Sequence, residues 1–355
     1  VSAAPGGTGV RPAGTAPGPL DDPHGRRLLL LTGGIRLAHV VGALAELGIA
    51  DLVAAGPRAV DDLADAADAD PDALRRLLRC AAAVGVFAEL PDGRFGGTAL
   101  SDGLRADAAG SVRPLALYNR MELLWRSYSE IMHTVRTGRP ATPEALGAGV
   151  WEYLAERPAT ATRVYDVLNG MNRRLQDEYV VAVDPARFRR IADIGGGDGD
   201  FLSELLRHAP GTEGVLFELP ERMAETARAV ERYGCADRIG LVPGDFRTDP
   251  LPRGCDAYVL KGIVHNWDDE GARTILRGVR AAIGDTGAPL FVIEQVAAPP
   301  NTWDFGRFID IDLLLVFGGR MRDADDWRRL AADTGFELVG EPVTGRWSTL
   351  HCRPV

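Results

Sequence analysis

The chain is almost without lysine: Lys261 is the one Lys in 355 residues, and every other basic side chain is Arg or His. Its 40 Lys plus Arg are outnumbered by 50 Asp plus Glu, for a net charge of -10, so composition offers no positive face to a polyanion such as nucleic acid. Cysteine is scarce too. Cys80, Cys235, Cys255 and Cys352 are scattered without a CxxC pair, which argues against a zinc site or a disulfide framework and fits reduced thiols. No run approaches the ~20 apolar residues of a membrane span. Residues 1–19, rich in Gly, Pro, Ala and Thr, lack the apolar core of a signal peptide and read as a disordered tail. These absences make a cytoplasmic protein the expectation. The rest is ordinary for a globular chain, 46% hydrophobic and 25% charged, and long enough for two domains.

The two halves differ in period. From about Leu20 to Ala109 the apolar spacing is helical. Ile35 to Leu47 stops at Gly48, a short helix begins at Val60, and Asp70-Pro71-Asp72 opens a helix over Ala73 to Val84. Val86 to Leu90, the turn Pro91-Asp92-Gly93 and Arg94 to Gly96 then form a hairpin. Helices plus hairpin predict a winged-helix-like unit. Its nine Arg against fourteen Asp plus Glu between Asp21 and Val112 favour a dimerisation module over a DNA-binding one. Ser111 to about Val183 is again helical and rich in aromatics and Met, including Trp125, Met132 and Met171, which are candidates to line a pocket for a flat substrate. The expected division is a tail over 1–19, a winged-helix-like dimerisation domain over 20–112, a helical linker and substrate lid over 113–183, and a catalytic domain over 184–355.

That last part alternates. Strands are predicted at Arg190 to Ile194, Gly214 to Phe217, Ile239 to Val242, Ala257 to Val264 and Leu290 to Val296. Helices are predicted at Asp200 to His208, Arg222 to Tyr233 and Asp269 to Ile283. This is the pattern of a Rossmann-like, doubly wound α/β sheet. Helix Ala324 to Thr334 follows, then Phe336 to Val343 and Trp347 to Cys352 as an antiparallel edge.

Ligands of such sheets bind beyond the carboxyl ends of the strands. There the sequence places Asp193-Ile-Gly-Gly-Gly-Asp-Gly199, a turn that could serve a dinucleotide or S-adenosylmethionine. Three features favour the latter. Asp200 stands where GxGxxG requires its third Gly. Asp193, Asp198 and Asp200 would repel a pyrophosphate but suit an ammonium and a sulfonium. Glu218 ends the second strand, about 20 residues on, where a carboxylate can hold both ribose hydroxyls. Asp245 and Phe246, at the end of the third strand, suit an adenine amine and its ring face.

With these residues in place, the chain resembles the small-molecule O-methyltransferases typified by plant caffeate and flavonoid enzymes and by bacterial polyketide-tailoring relatives. The matching motifs are Asp193 to Gly199, Phe217-Glu-Leu-Pro220, Gly244-Asp-Phe246, Leu260-Lys-Gly-Ile-Val-His-Asn-Trp-Asp268 and Gly318-Gly-Arg-Met-Arg322; Thr134-Val-Arg-Thr-Gly138 fits the helical half. The resemblance implies that Gly195, Glu218, Asp245, Phe246 and Lys261 contact the cofactor, and Asp193, Gly197 and Leu219 are assigned to the same site. It also implies a homodimer joined through the N-terminal half, S-adenosylhomocysteine as product, no metal, and a role in antibiotic biosynthesis. Lys261 gains weight from being the one Lys in the chain.

Methyl transfer needs an acceptor oxygen held in line with the methyl carbon, and a phenol with a pKa near ~10 gains from a base. His265 is the candidate base. Glu294, in the next strand, matches its acidic partner in the family. The family commonly has a second Glu where Met321 stands, and Asp where Asn266 stands. Met accepts no strong hydrogen bond. The expectation is therefore either catalysis that rests more on proximity than on the base, or an acceptor that is easy to deprotonate, such as a hydroxybenzoate or naphthoate whose carboxylate Arg320 or Arg322 could hold, although an exposed Arg is the default reading of each. Phe308, Asp312 and Leu315 are expected to approach from the other side, with Met321 also in the substrate pocket. Two other readings stand beside this one. The first is a relative that binds the cofactor but carries out hydroxylation or decarboxylation. The second is a DNA-binding regulator.

Overall fold

The structure, a computed structural model, describes residues 22–172 and 175–355, so the tail expected over 1–19 lies outside the described residues. Two compact units divide the chain, one through Arg120 and one over Met121–Val355.

The first unit is helical around one small hairpin. Its helices include Pro23–Thr32, Gly34–Glu46, Val60–Ala67, Pro71–Ala82 and Arg113–Tyr118, and strands β1 (Phe87–Glu89) and β2 (Phe95–Gly97) pair antiparallel. Helix Pro71–Ala82 starts where a capping acid and a first-turn proline predict it: the Asp70 carboxylate accepts from the Ala73 N–H at 2.8 Å. Its apolar stripe, Leu74 and Leu78, is buried with Leu44, Ile49, Leu63 and the two strand residues Phe87 and Phe95. Helix Pro23–Thr32 buries nothing of its own, and Leu28, Leu29, Leu30 and Leu31 are all exposed. No single described helix is long and apolar enough to cross a membrane; Pro23–Thr32 and Gly34–Glu46 pass that test only as a pair, bent by 64°.

The second unit begins with short helices, among them Glu122–Ser129, Ile131–Thr137, Val150–Ala155 and Pro158–Asn172. It then builds a seven-stranded sheet from β3 (Arg190–Ile194), β4 (Glu213–Glu218), β5 (Ile239–Pro243), β6 (Ala257–Lys261), β7 (Leu290–Val296), β8 (Phe336–Val339) and β9 (Arg346–Pro354). The order is β5-β4-β3-β6-β7-β9-β8. The first five run parallel, and β9 lies antiparallel between β7 and β8. The expected antiparallel edge is present, with the later strand inside. Every residue of β7 is buried, as a parallel strand covered on both faces must be. Helix Asp269–Ile283 covers one face with Ile275, Leu276 and Val279. Helix Asp200–His208 covers the other with Leu202, Leu205 and Leu206.

One boundary differs from expectation in a way that matters for the site. The strand predicted to run to Val264 stops at Lys261. Gly262 turns the chain at φ +66°, and Val264–Asn266 form a single 3-10 turn. Ile263 and Val264 continue the apolar pattern, but their N–H groups bond to a carboxylate instead of a neighbouring strand. A second surprise is that helix Gly306–Asp312 runs directly into a π-helical segment, Leu313–Phe317.

Candidate active site

Strand order reverses at β3 and β6, which places the crevice of a doubly wound sheet beyond their carboxyl ends. There the chain leaves β3 through Gly195, Gly197 and Gly199, all at positive φ (+72°, +62° and +78°). A Cβ on Gly195 would stand 2.7 Å from Ile263 Cδ1 and 3.2 Å from Phe246 Cε1, whereas one on Gly197 would meet nothing within 4 Å. Gly195 is thus packed and Gly197 faces open space. Gly197 is also fixed at both ends of its peptide unit. Its N–H donates to Glu218 Oε2 at 2.8 Å, and its carbonyl accepts from Thr226 Oγ1 at 2.8 Å. The Leu219 N–H donates to the other Glu218 oxygen at 2.9 Å, so the carboxylate is held in one orientation with lone pairs to spare.

The other acids of the turn have separate duties. Asp198 accepts from Tyr233 Oη at 2.8 Å, and Asp200 accepts from Gln176 Nε2 at 2.6 Å. Asp193 is buried, and its Oδ1 has no hydrogen-bond partner. Burial pushes its carboxyl up to about 7; Lys261 works against that rise, and Glu218 and Asp198 add to it. Lys261 also sits over the Phe201 ring, 5.3 Å from its centroid. Asp245 is not aimed freely at a ligand, because Arg247 binds both its oxygens and holds its carboxyl below the ordinary range. A group bearing an ammonium and a ribose fits this set: an orphaned buried carboxyl oxygen, a preset second carboxylate and a glycine facing open space.

Asp193 carries a pH consequence. Its carboxyl holds a proton to about pH 7 in the fold but loses it near the usual ~3.9 when unfolded. Stability from this group therefore falls as pH rises from about 4 to 7. Asp193→Asn is expected to remove that decline and raise the melting temperature of the ligand-free protein by a few degrees at pH 8, with little change at pH 4. Thermal unfolding at the two pH values checks this, and an equal shift at both would contradict it.

The second half of the site is the 3-10 turn after β6. Glu294, fully buried in β7, accepts through Oε1 from the N–H groups of Ile263 (3.1 Å), Val264 (2.8 Å) and His265 (3.3 Å). Its Oε2 stands 2.5 Å from His265 Nδ1, a close polar contact without the alignment of a full hydrogen bond. His265 is therefore carried on a turn, not on the end of a strand as expected. Asn266 donates Nδ2 to the Gly262 carbonyl at 3.1 Å, a bond that an ionised Asp could not make. Arg322, read from sequence as an exposed side chain by default, is 2% exposed. It bonds the carbonyls of Val264 and Trp267 and the Asp269 carboxylate, stapling the turn. Arg320 pairs with Asp269 and Asp326, so protein carboxylates engage both guanidinium groups that could have held a substrate carboxylate.

Gly319, within the motif Gly318 to Arg322, holds a tight backbone contact. A Cβ there would fall 2.1 Å from the His265 carbonyl oxygen and 2.6 Å from Asn266 C. The backbones of the two loops lie against each other, joined by the Arg320 N–H to the His265 carbonyl at 3.0 Å. A row of rings, Phe317, Trp151, Trp267 and Phe246, runs from the π segment to the glycine turn, with centroids 5.4, 5.8 and 6.1 Å apart.

The expected pocket residues are less uniform. Met321 is buried against Ala297 and Leu313, and Asp312 is buried with one partner, Tyr128. Trp125, Met132 and Phe308 are 43%, 51% and 54% exposed. The Met171 side chain lies outside the described residues. Among the described residues no group of three or more His, Cys, Asp or Glu is placed to hold a metal.

Comparison with known proteins agrees with the geometry. Residues 128–337 match the model of the O-methyltransferase domain, and residues 29–106 match the O-methyltransferase dimerisation domain. The chain is 34% identical over 330 residues to the phenazine O-methyltransferase PhzM of Lysobacter antibioticus, covering 92% of this chain and 96% of that one. It is 33% identical over 344 residues to the 8-amino-8-demethylriboflavin N,N-dimethyltransferase of Streptomyces davaonensis, covering 95% and 98%. Among solved structures it superposes with TM-score 0.78 and 31% identity on NcsB1, an O-methyltransferase from neocarzinostatin biosynthesis in complex with S-adenosylmethionine and 2-hydroxy-5-methyl naphthoic acid, covering 90% and 96%. The chain belongs to the O-methyltransferase family, and its cofactor is S-adenosylmethionine.

Proposed function

We propose that the protein methylates a phenolic oxygen of a small aromatic natural-product intermediate, with His265 as general base. The observation that carries this reading is the 2.5 Å approach of Glu294 Oε2 to His265 Nδ1 on a turn locked by the same carboxylate. S-adenosylmethionine supplies, when bound, a methyl group activated by its sulfonium. Gly195, Gly197, Glu218, Leu219, Phe246 and Lys261 would hold it, with Asp193 toward its cationic part; Asp245 would reach adenine only by giving up donors from Arg247. With Nδ1 turned to Glu294, Nε2 is the nitrogen left to take the phenol proton, and the buried carboxylate supports the imidazolium that results. Met321 adds no second carboxylate, so that support comes from Glu294.

The test is to mix the protein with S-adenosylmethionine and 5-amino-1-naphthol. S-adenosylhomocysteine is expected to form in step with an O-methylated product. N-methylation would move the reading toward the riboflavin-type relative. Product heavier by one oxygen, without S-adenosylhomocysteine, would replace methyl transfer by hydroxylation. Glu218→Ala is expected to weaken cofactor binding about 10- to 100-fold by calorimetry, the scale of one charged hydrogen-bond pair; an unchanged affinity would remove Glu218 from the site.

We further infer a homodimer joined through the dimerisation domain, where the exposed Leu28 to Leu31 run needs a cover. Light scattering at micromolar concentration is expected to give twice the 38.0 kDa chain mass, and a monomer there would overturn this.

A further inference from the structure

Three acids lie close together on the approach to the π segment, and they are not treated alike. Asp304 is buried with three donors: Gln295 Nε2 at 3.1 Å and the N–H groups of Ala298 and Gly306 at 2.9 and 2.8 Å. Asp310 accepts from the Met321 N–H at 2.7 Å. Asp312 is also buried, 8% exposed, yet among the described residues its one hydrogen-bond partner is the Tyr128 hydroxyl, 2.7 Å from Oδ1. No described cation pairs with it, and burial pushes the carboxyl up to about 6. Oδ2 has no protein donor among the described residues and is not sealed from the surface, so a donor on a bound ligand can reach it.

The position tells what that could be. Asp312 immediately precedes the π segment, whose first residue, Leu313, accepts from the Gly319 N–H at 3.1 Å, one residue before the Arg320 bond to His265. It is thus built into the loop that packs on the turn carrying the base. Phe308 lies one helical turn earlier, and Trp125 shares a helix with Tyr128; both rings are partly exposed. We propose that Asp312, oriented by Tyr128, selects aromatic acceptors that present a second hydroxyl or an amino group to its unpaired oxygen, and rejects acceptors that present a carboxylate there. This rests on the phenol-methylation reading, and it reverses the expectation of an acid-bearing acceptor drawn from Met321. A donor completes the acid's hydrogen bonds. An ether leaves it unpaired, and a carboxylate meets like charge in a water-poor setting.

The test measures dissociation constants by calorimetry in the presence of saturating S-adenosylhomocysteine. Four probes differ in one substituent: 1,5-dihydroxynaphthalene, 5-amino-1-naphthol, 5-methoxy-1-naphthol and 5-hydroxy-1-naphthoic acid. The native protein is expected to bind the first two ~10-fold or more tighter than the methoxy compound, with the naphthoic acid weakest. Asp312→Leu should bring the donor-to-methoxy ratio to about 1 and improve the acid. Asp312→Asn, nearly the same shape, should keep the donor preference and lose the rejection of the acid, and it decides the matter if the Leu variant does not fold. Unchanged ratios, an equal loss for all four probes, or no discrimination by the native protein would each overturn the proposal. Methyl transfer is followed in parallel. Selective binding without transfer counts against the phenol reading and leaves the role of Asp312 standing.

Discussion

Replacing His265 with alanine is expected to lower kcat by about 10²- to 10⁴-fold, the range for a positioned general base, while the cofactor dissociation constant changes less than about 2-fold. The separation follows from placement. The His265 ring faces Glu294 and the edge of Trp347, whereas the glycine turn and Glu218 belong to β3 and β4 on the other side of the crevice. The residual rate should rise with pH toward the phenol's own ionisation near ~10, because the variant must wait for the acceptor to lose its proton unaided. A pH profile of kcat reads this directly. Turnover at pH 7 within about 3-fold of the native value would mean that proximity, not the base, carries the reaction.

Gly319→Ala should be nearly as damaging without touching any reacting group. The added methyl would fall 2.1 Å from a backbone oxygen and 2.6 and 2.9 Å from two backbone carbons, none of which can swing aside as a side chain would. The turn must shift, and His265 moves with it. A displacement of about 1 Å at a reacting group costs on the order of 10²-fold in rate, and overpacking of this kind costs about 1–3 kcal/mol in stability. Gly34→Ala, where an added Cβ meets nothing within 4 Å, is the control and should change neither. Native-like turnover by Gly319→Ala would show that the two loops are not rigidly seated on each other.

Much of the sheet was legible because buried parallel strands and amphipathic helices have different periods. Strands Arg190–Ile194 and Leu290–Val296 and helices Asp200–His208 and Asp269–Ile283 fall where the apolar spacing puts them. The end of β6 was not legible, because Ile263 and Val264 look like more strand and the carboxylate that captures their N–H groups is about 30 residues away. The same holds across the site. Glu218 and the glycines announce themselves at strand ends, but Arg322 reads as surface charge until Val264, Trp267 and Asp269 arrive around it from more than 50 residues upstream. Tyr128 and Asp312 are 184 positions apart, and no local pattern links them.

Glu294 performs two tasks with one functional group, gathering three amides of the turn and facing the imidazole. If His265 is the base, as proposed, any change there alters base strength and loop shape together, so this half of the site is closed to gradual adjustment. Neither Asp312 nor Met321 bonds those amides. On the proposed reading the acceptor side can therefore vary while the turn's own hydrogen bonds are kept.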